Sequence, residues 1–568
     1  MTSTLSKRPQ ATMSRSWEYG MKSGKTLSFF VLIALIPTLP FAWVGYAGHD
    51  VHLHLSSWME IRDAWLSGRF WPGWDSLSNF TLGDPHFDFY PPLSFLLGAV
   101  LSTILPLRIA PAAFVSVLTL VSGLTMYEAS KAFVAENDRV KAALLYMLSP
   151  YLLTTAIVRF AASELMVQAW LPLICLVFYR MMWNKDNRSL LMLGGLLGLS
   201  WLTSIPASIV LLYGLGIVAV VTSIRRRLVR PILGFLIAEA IASLLAAFYL
   251  VPVYVEQKWI TPTGLSRYSI REFMLFAPIS TLTRELFTVS CWAIACAGIV
   301  LVSIHALTRD RNRAGNEATR TWLELALVSF GFQLPFTLPL WRHLPELSSV
   351  AFAFRFLMLL GVALPLALLG KGTRRSLRLP TYAVVAIMSL MPFLVIIRAQ
   401  IPWRTYPEFE TMVSRWAQVG KHGMPEFVPR GVIQPTAPTG IPAVTVLSNT
   451  STAHCSADPQ MRGPALTAVQ IDADGPCQLR LRTYYYPYWH VVDESGKLLT
   501  VGRDGDGLIL VSAPAGKHLL TLDFEARSSL RTAALIVSVV SAMFLGLAMF
   551  VLTHVRNRQY ERVLAPVA

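Results

Sequence analysis

The feature that most narrows what this chain can become is a recurrence. From residue 27 to residue 554 it returns repeatedly to apolar runs long enough to cross a bilayer. A hydrocarbon core needs about 20 apolar residues per helix. Runs of that kind fall at 27–46, 109–130, 140–157, 164–180, 189–204, 207–223, 231–253, 286–307, 321–340, 351–370, 380–397 and 531–554. Composition agrees, because 54% of the 568 residues are hydrophobic and only 14% are charged, well below the roughly 25% of soluble domains. A disordered chain, a coiled coil and a cytosolic nucleic-acid binder are excluded despite a net charge of +16. The expected fold is an α-helical polytopic membrane protein with about 12 transmembrane helices.

The basic excess orients the chain. Lys7, Arg8, Arg15, Lys22 and Lys25 precede the first apolar run, and no small-residue cleavage site follows it, so the run reads as an uncleaved anchor. One further apolar run, 93–107, is short and begins Tyr90-Pro91-Pro92. If it does not cross, alternate connections starting with the N-terminus hold most of the short-loop lysine and arginine, among them Arg225, Arg226, Arg227 and Arg230. These then face the cytoplasm, as the positive-inside rule requires. If it crosses, every later loop inverts and the bias reverses. The run is therefore placed in the outer leaflet. The organisation expected is a cytoplasmic N-terminal tail over 1–26, a transmembrane domain over 27–397 with an outer loop at 47–108, and an extracytoplasmic β domain over 398–528. A final transmembrane helix and cytoplasmic tail occupy 529–568, so that both termini are cytoplasmic.

Three outer segments carry the chemistry. The loop at 47–108 opens Gly48-His49-Asp50-Val51-His52-Leu53-His54 and continues through a helical stretch to Trp65. In a helix, Asp50 and His54 share one face at i and i+4. Trp58, Trp65, Phe70, Trp71 and Trp74 suit an interfacial helix. A carboxylate at the bilayer edge is costly to desolvate and marks a functional position, which singles out Asp50. The second segment, Arg159-Phe160-Ala161-Ala162-Ser163-Glu164, is so short that Arg159 and Glu164 must lie at membrane level. Glu164 is expected either to pair locally, for instance at a helix N-terminus, or to stand as a second acid facing Asp50. Deeper polar residues are Glu239, Glu324, Gln333 and Arg355, and Arg355, on the outer side, has the planar fork that suits a lipid phosphate.

The third segment turns polar and rich in Pro, Gly and Thr from Tyr406. Alternation in Gln478-Leu479-Arg480-Leu481-Arg482 and turn residues at 494–497 and 505–507 suggest a small antiparallel β domain. Residues 484–489, four tyrosines with Pro487 and Trp489, are expected in the core of its sheet, with sugar stacking as the alternative. Asp504-Gly505-Asp506-Gly507 lacks the glutamate of a calcium loop and reads as a plain turn. Cys455 and Cys477 lie in this segment, where a bridge requires an oxidising compartment. Cys175, Cys291 and Cys296 lie in apolar runs and read as packing residues.

These residues resemble the GT-C class of integral-membrane glycosyltransferases, which places one acid after the first span and a second acidic motif after the third. The stretch 159–164 is similar to the arginine, small residue, acid motif of oligosaccharyltransferase catalytic subunits, although Ser163 stands where the fuller motif has a second acid. A closer resemblance is to the bacterial membrane family called 6-pyruvoyl-tetrahydropterin synthase-related. It rests on His49-Asp50 through His54, Gly68 with Trp74, and Phe87-Asp88-Phe89-Tyr90-Pro91-Pro92-Leu93. The chain departs from its relatives at Leu202-Thr203-Ser204, where many have a histidine at the third position.

The resemblance implies a bacterial inner-membrane enzyme moving a sugar from a polyprenyl-phosphate donor to a glycan, lipid or protein acceptor on the outer face, with no nucleic-acid partner. Asp50 and Glu164 are the implied catalytic acids, and Arg159, Arg355, His54 and Tyr90 the implied substrate-binding residues. A divalent ion, Mg or Mn, on Asp50 and Glu164 is the implied cofactor. The alternative is a non-catalytic protein that binds or transports lipid-linked glycan.

Overall fold

The computed structural model describes residues 24–39, 41, 48, 50–184, 186–261, 270–275, 316–371, 405–447, 454–463 and 465–564, with isolated positions at 293–303 and 382–390. The expected runs at 286–307 and 380–397, together with His49 and Cys291, lie largely or wholly outside them. The molecule is mostly helical, with several apolar helices and a C-terminal antiparallel sheet domain.

Helix α1 (Gly24–Leu35) packs through Phe30 against Tyr127. Helix α2 (Val51–Leu66) carries the first outer loop. Its buried face presents His54, Leu55, Trp58 and Ile61 to α3 (Pro92–Ile104), the short run that begins at the double proline. The pairings His54 with Phe95 and Trp58 with Gly98 run the same way along both helices, so α2 and α3 lie side by side and parallel. A Cβ on Gly98 would lie 1.9 Å from Trp58, whose ring is already flanked by Phe114 and Phe160. Glycine at 98 is what allows this approach.

Helices α4 (Ala110–Phe133), α5 (Arg139–Met147) and α6 (Ala162–Trp183) form the centre of the bundle. Thr125 and Tyr146 tie α4 and α5 to carbonyls of α6. After α5 the chain continues through the turn Pro150–Leu153 into a wide π-turn, Thr154–Arg159. Phe160 then adopts a left-handed backbone with φ 50°, reversing the chain into α6. Helices α7 (Asn187–Trp201) and α8 (Ile205–Arg226) follow.

Two expected spans, 231–253 and 321–340, are bent pairs rather than straight helices. Helix α9 (Arg230–Leu245) meets α10 (Ala247–Glu256) at 79°, and α11 (Asn316–Gly331) meets the segment of Pro335 and α12 (Leu338–His343) at 82°. In the second case Pro335 holds Leu334 extended, at ψ 139°, which no helix accommodates. Helix α13 (Leu357–Leu368) is buried throughout. Among the described residues five helices are long and apolar enough to cross a membrane, or seven if each bent pair is one span.

The polar stretch after 398 does not open on a strand. Thr405 and Glu408 form a reciprocal cap on an amphipathic helix, α14 (Tyr406–Val419), whose Phe409 and Trp416 are buried on the helical core. Strands begin at β1 (Val444–Leu447), followed by β2 (Cys455–Arg462), β3 (Ala465–Ala473), β4 (Cys477–Tyr484), β5 (Trp489–Val492), β6 (Val501–Arg503), β7 (Leu508–Ala513) and β8 (Gly516–Phe524). They make two antiparallel sheets, ordered β1-β4-β7-β6 and β2-β3-β8-β5. Leu479, Leu481, Ile509 and Val511 of one sheet share a core with Val469, Ile471 and Leu520 of the other. A disulfide between Cys455 and Cys477 joins the sheets. The 504–507 stretch is a turn, its Asp504 accepting from the amides of Asp506 and Leu508 and pairing with Arg480.

The tyrosine-rich stretch divides. Tyr485 and Trp489 pack against the sandwich core as expected, whereas Tyr484, Tyr486 and Tyr488 pack with Trp74, Leu82, Phe89 and Ile260, so they cement the sandwich to the helical bundle. Alternation alone cannot reveal this, because a docking face and a sheet core are equally aromatic. The last helix, α15 (Ser529–Leu564), docks at the bend between α9 and α10. There Ser538 accepts from Phe248 N–H and donates to Leu244 C=O. The deeper polar residues pair locally: Glu239 accepts from Trp201, Glu324 meets Arg225 and Arg320, and Gln333 donates to Ser329 C=O.

Gly98→Val should overpack the α2–α3 contact, costing about 1–3 kcal/mol. A thermal melt of the detergent-solubilised protein checks this. Gly546→Ala, where no atom lies within 4 Å, should melt like the parent.

Candidate functional site

The start of the 47–108 loop and the short turn at 159–164 meet through main-chain hydrogen bonding. Asp50, at the head of α2, donates its N–H to Arg159 C=O at 2.9 Å. Gly48 permits this crossing, since a Cβ there would lie 2.5 Å from that of Phe160. His54 is fully buried one turn along α2, and its Nε2 accepts the Ala162 N–H at 3.3 Å. Burial pushes this imidazole down to about 4, so it is neutral, with its proton on Nδ1. His52 packs edge-on against Trp416 of α14.

Glu164 opens α6 and is buried. Its Oε1 accepts from Tyr151 Oη, and its Oε2 accepts from both Arg159 Nη1 at 2.9 Å and Arg355 Nε at 3.3 Å. The guanidinium of Arg159 also lies over Phe354, and that of Arg355 over Phe352. Tyr90 hydrogen-bonds to Ser163 beside them, and burial raises its phenol above the ordinary range, keeping the proton on. Asp50 is partly exposed and acts electrostatically on both Arg159 and Arg355. All six residues expected at the site therefore belong to one centre. Glu164 acts as its organiser. Three donors already engage its two oxygens, an arrangement that does not fit an ion shared with Asp50.

A second buried centre lies in the same outer loop. His86 Nδ1 meets Asp75 Oδ2 at 2.9 Å and Asp84 Oδ1 at 3.2 Å, and Nε2 meets Ser57 Oγ at 3.0 Å. The spacing is that of a Ser-His-Asp nucleophile, but the Ser57 proton goes to Leu53 C=O at 2.7 Å. Ser57 therefore accepts from His86, both imidazole nitrogens donate, and the ring is an imidazolium rather than a base. Lys421, from the loop after α14, reaches Asp75 Oδ2 at 2.7 Å. Burial raises Glu60, and the Asp75 charge raises it further. Burial also works to raise Asp75, but Lys421 and His86 overcome it and hold Asp75 well below the usual carboxylate range.

The backbone here is held in an uncommon state. Asn79, Phe80 and Thr81 are successive non-glycine residues with φ of 53°, 54° and 74°. The ligand atoms of Asp75, Asp84 and His86 lie within 4.8 Å of one another, a spacing compatible with one divalent ion.

A third cluster joins the domains. Arg531, opening α15, pairs with Glu256 and Asp88 and lies over the ring of Tyr488, whose hydroxyl donates to Glu256. Burial pushes Asp88 up to about 6, against the pull of Arg531. The motif at 87–93 holds Asp88, but no motif in the sequence marks Lys421 or Glu60. The one available sign was a lysine between Gly420 and Gly423 with no acid beside it.

The fold and these centres define a mostly helical protein with several apolar helices, a polar, charge-paired head and a C-terminal β-sandwich. Residues 87–406 match the family model described as 6-pyruvoyl-tetrahydropterin synthase related domain; membrane protein. The chain belongs to that family. The matched region includes Tyr90, Arg159, Glu164 and Arg355, and begins after Asp50 and His54. No curated protein matches the chain significantly.

Among solved structures, the Archaeoglobus fulgidus oligosaccharyltransferase in complex with Zn and sulfate is 14% identical, with 71% of this chain and 58% of that one covered at TM-score 0.39. The same organism's oligosaccharyltransferase AglB, with an inhibitory peptide and a dolichol-phosphate, is 14% identical over 76% and 62% at 0.40. Mycobacterial arabinofuranosyltransferase AftD is 16% identical over 69% and 28% at 0.42. The chain spans less than two thirds of the length of each.

Burial alone would lower His86, but Asp75 and Asp84 outweigh it and hold the imidazole above 6.5. The stability this contributes is complete below the unfolded value of about 6.5 and is lost as pH rises through the higher folded value. The melting difference between the parent and His86→Gln should therefore be largest near pH 6 and shrink as pH increases. Melts across that range check it.

Proposed function

We propose that this protein is a membrane glycosyltransferase that moves a sugar from a polyprenyl-phosphate carrier to an acceptor hydroxyl on the extracytoplasmic face. The observation that carries this reading is the sharing of one carboxylate, Glu164, by two guanidiniums beside Asp50. Asp50 acts on the same two guanidiniums, so the centre sets two cations that can receive an anion beside a carboxylate that can take a proton. A sugar leaving a lipid phosphate needs both.

In the reaction, the acceptor hydroxyl oxygen bonds to the anomeric carbon as the bond from that carbon to the phosphate oxygen breaks. Asp50 takes the hydroxyl proton, which requires hydrogen-bond reach of about 3 Å. The phosphate leaves with the bonding electron pair, and Arg355, the more exposed guanidinium, receives its charge. Stabilising charge that develops in this way is often the largest catalytic term. Glu164 and Tyr151 hold the arginines, and His54 and Tyr90 supply hydrogen-bonding groups beside them. No step requires a metal.

This reading includes the topology of the sequence analysis: about 12 spans, cytoplasmic termini, the domain limits given there, and the inner membrane of a bacterium. With the sandwich outside, an impermeant thiol reagent should label a cysteine placed at Ser495 on intact cells and miss one at Leu228. Equal labelling overturns the orientation.

Asp50→Asn should lower transfer by roughly 10²–10⁴-fold, and Arg355→Met by about 10²-fold, with both proteins still inserted in the membrane. Mass spectrometry of outer-surface glycans in cells carrying each variant reads the effect. Unchanged glycans with a stably inserted Asp50→Asn overturn the catalytic reading and favour a protein that only binds or moves lipid-linked glycan.

A further inference from the structure

We propose that Lys421 is a tethered cation. Its ammonium, held on Asp75 Oδ2 and Ser78 Oγ, takes the role of a divalent ion for the cluster of Asp75, Asp84 and His86, and the centre operates without metal. This inference rests on ion-pair geometry and is independent of the sugar-transfer reading.

The argument begins with lone pairs. A carboxylate offers about four acceptor sites. Asp75 Oδ1 accepts from the N–H groups of Leu77 and Ser78, each at 3.0 Å, and Oδ2 faces Lys421 Nζ and Ser78 Oγ at 2.7 Å and His86 Nδ1 at 2.9 Å. Asp84 Oδ1 accepts from the N–H and Nδ1 of His86, and Oδ2 from Asn79 Nδ2. An entering ion would have to displace the ammonium or strip the imidazolium of its proton. Charge leads to the same conclusion. Two cationic donors, Lys421 and His86, already sit on Asp75, and His86 sits on Asp84 as well. Buried charges persist only when paired in this way.

The backbone shows that the lysine is delivered to this place. Lys421 donates its N–H to Leu77 C=O at 2.7 Å, and its own C=O accepts from Phe80 N–H at 2.9 Å. On one side, Gly420 sits at φ 74°, where a Cβ would lie 2.6 Å from Leu77 O. On the other, a Cβ on Gly423 would collide with the Asn79 amide. Two glycines thus let the strap lie against the loop while the side chain between them enters the acidic hollow. The pairing also braces the left-handed run 79–81, which would otherwise relax. One turn of chain upstream, α14 is laid over His52 through Trp416, next to Asp50. A single buried ammonium therefore fixes both the loop's conformation and the strap that covers the head of α2.

The test uses the full-length protein in detergent. Elemental analysis of the parent should find divalent metal far below one ion per chain, and its thermal midpoint should not respond to EDTA or to excess ZnCl2 or MnCl2. Lys421→Ala should lower the midpoint by several degrees, and excess Zn2+ or Mn2+ should restore at least half of the loss. Lys421→Ala combined with Asp84→Asn should not respond to either ion. Lys421→Met keeps the chain length and serves if the alanine variant does not accumulate. The proposal is overturned if the parent holds a stoichiometric divalent ion whose removal lowers its midpoint. It is also overturned if both lysine variants melt like the parent, or if the stability they lose is indifferent to metal. The metal content of the parent decides the matter even if neither variant folds.

Discussion

A carboxylate buried among apolar helices is stable only where cations and hydrogen-bond donors surround it, and Glu164 shows what that demand does to a fold. Its partners come from three places: Tyr151 before the π-turn, Arg159 at the end of it, and Arg355 some 190 residues later in the chain. Removing one member of a buried pair typically costs about 3–5 kcal/mol, so the three segments are bound to one another by a single side chain. The wide turn at 154–159 and the left-handed Phe160 make sense in this light. They turn the chain so that Arg159 points back at the acid five residues ahead.

The outer loop repeats the same physics. Asp75 gathers donors from its own loop, from His86 and from Lys421, a residue 346 positions away. The two centres touch α2 at two places: Glu60 and Ser57 face the lysine-filled cluster, while Asp50 and His54 face the arginines. A helix held by buried charge at its head and again at its middle keeps Asp50 in register with the arginines.

Much of this was legible in the chain, in proportion to how local the signal was. Asp50, Arg159 and Glu164 could be found because they sit where apolar runs stop, and charge there has few explanations. The sandwich could be found from the alternation around Leu479 and Leu481. The docking of Tyr484, Tyr486 and Tyr488 could not, because they meet Trp74 and Ile260 across distances the sequence does not encode. The bends at Ala246 and Leu334 were hidden for the opposite reason, since hydropathy averages smoothly over a break that one proline or one non-helical residue produces. Lys421 was hidden most completely. Its partners lie in another domain of the sequence, and a lone lysine in a polar stretch ordinarily means solvent.

The sandwich is held at both of its chain ends. Upstream, the strap enters the acidic hollow; downstream, β8 runs straight into α15, whose Arg531 is clamped by Asp88 and Glu256. A module fastened at two points across its width cannot pivot like a flap on a single hinge.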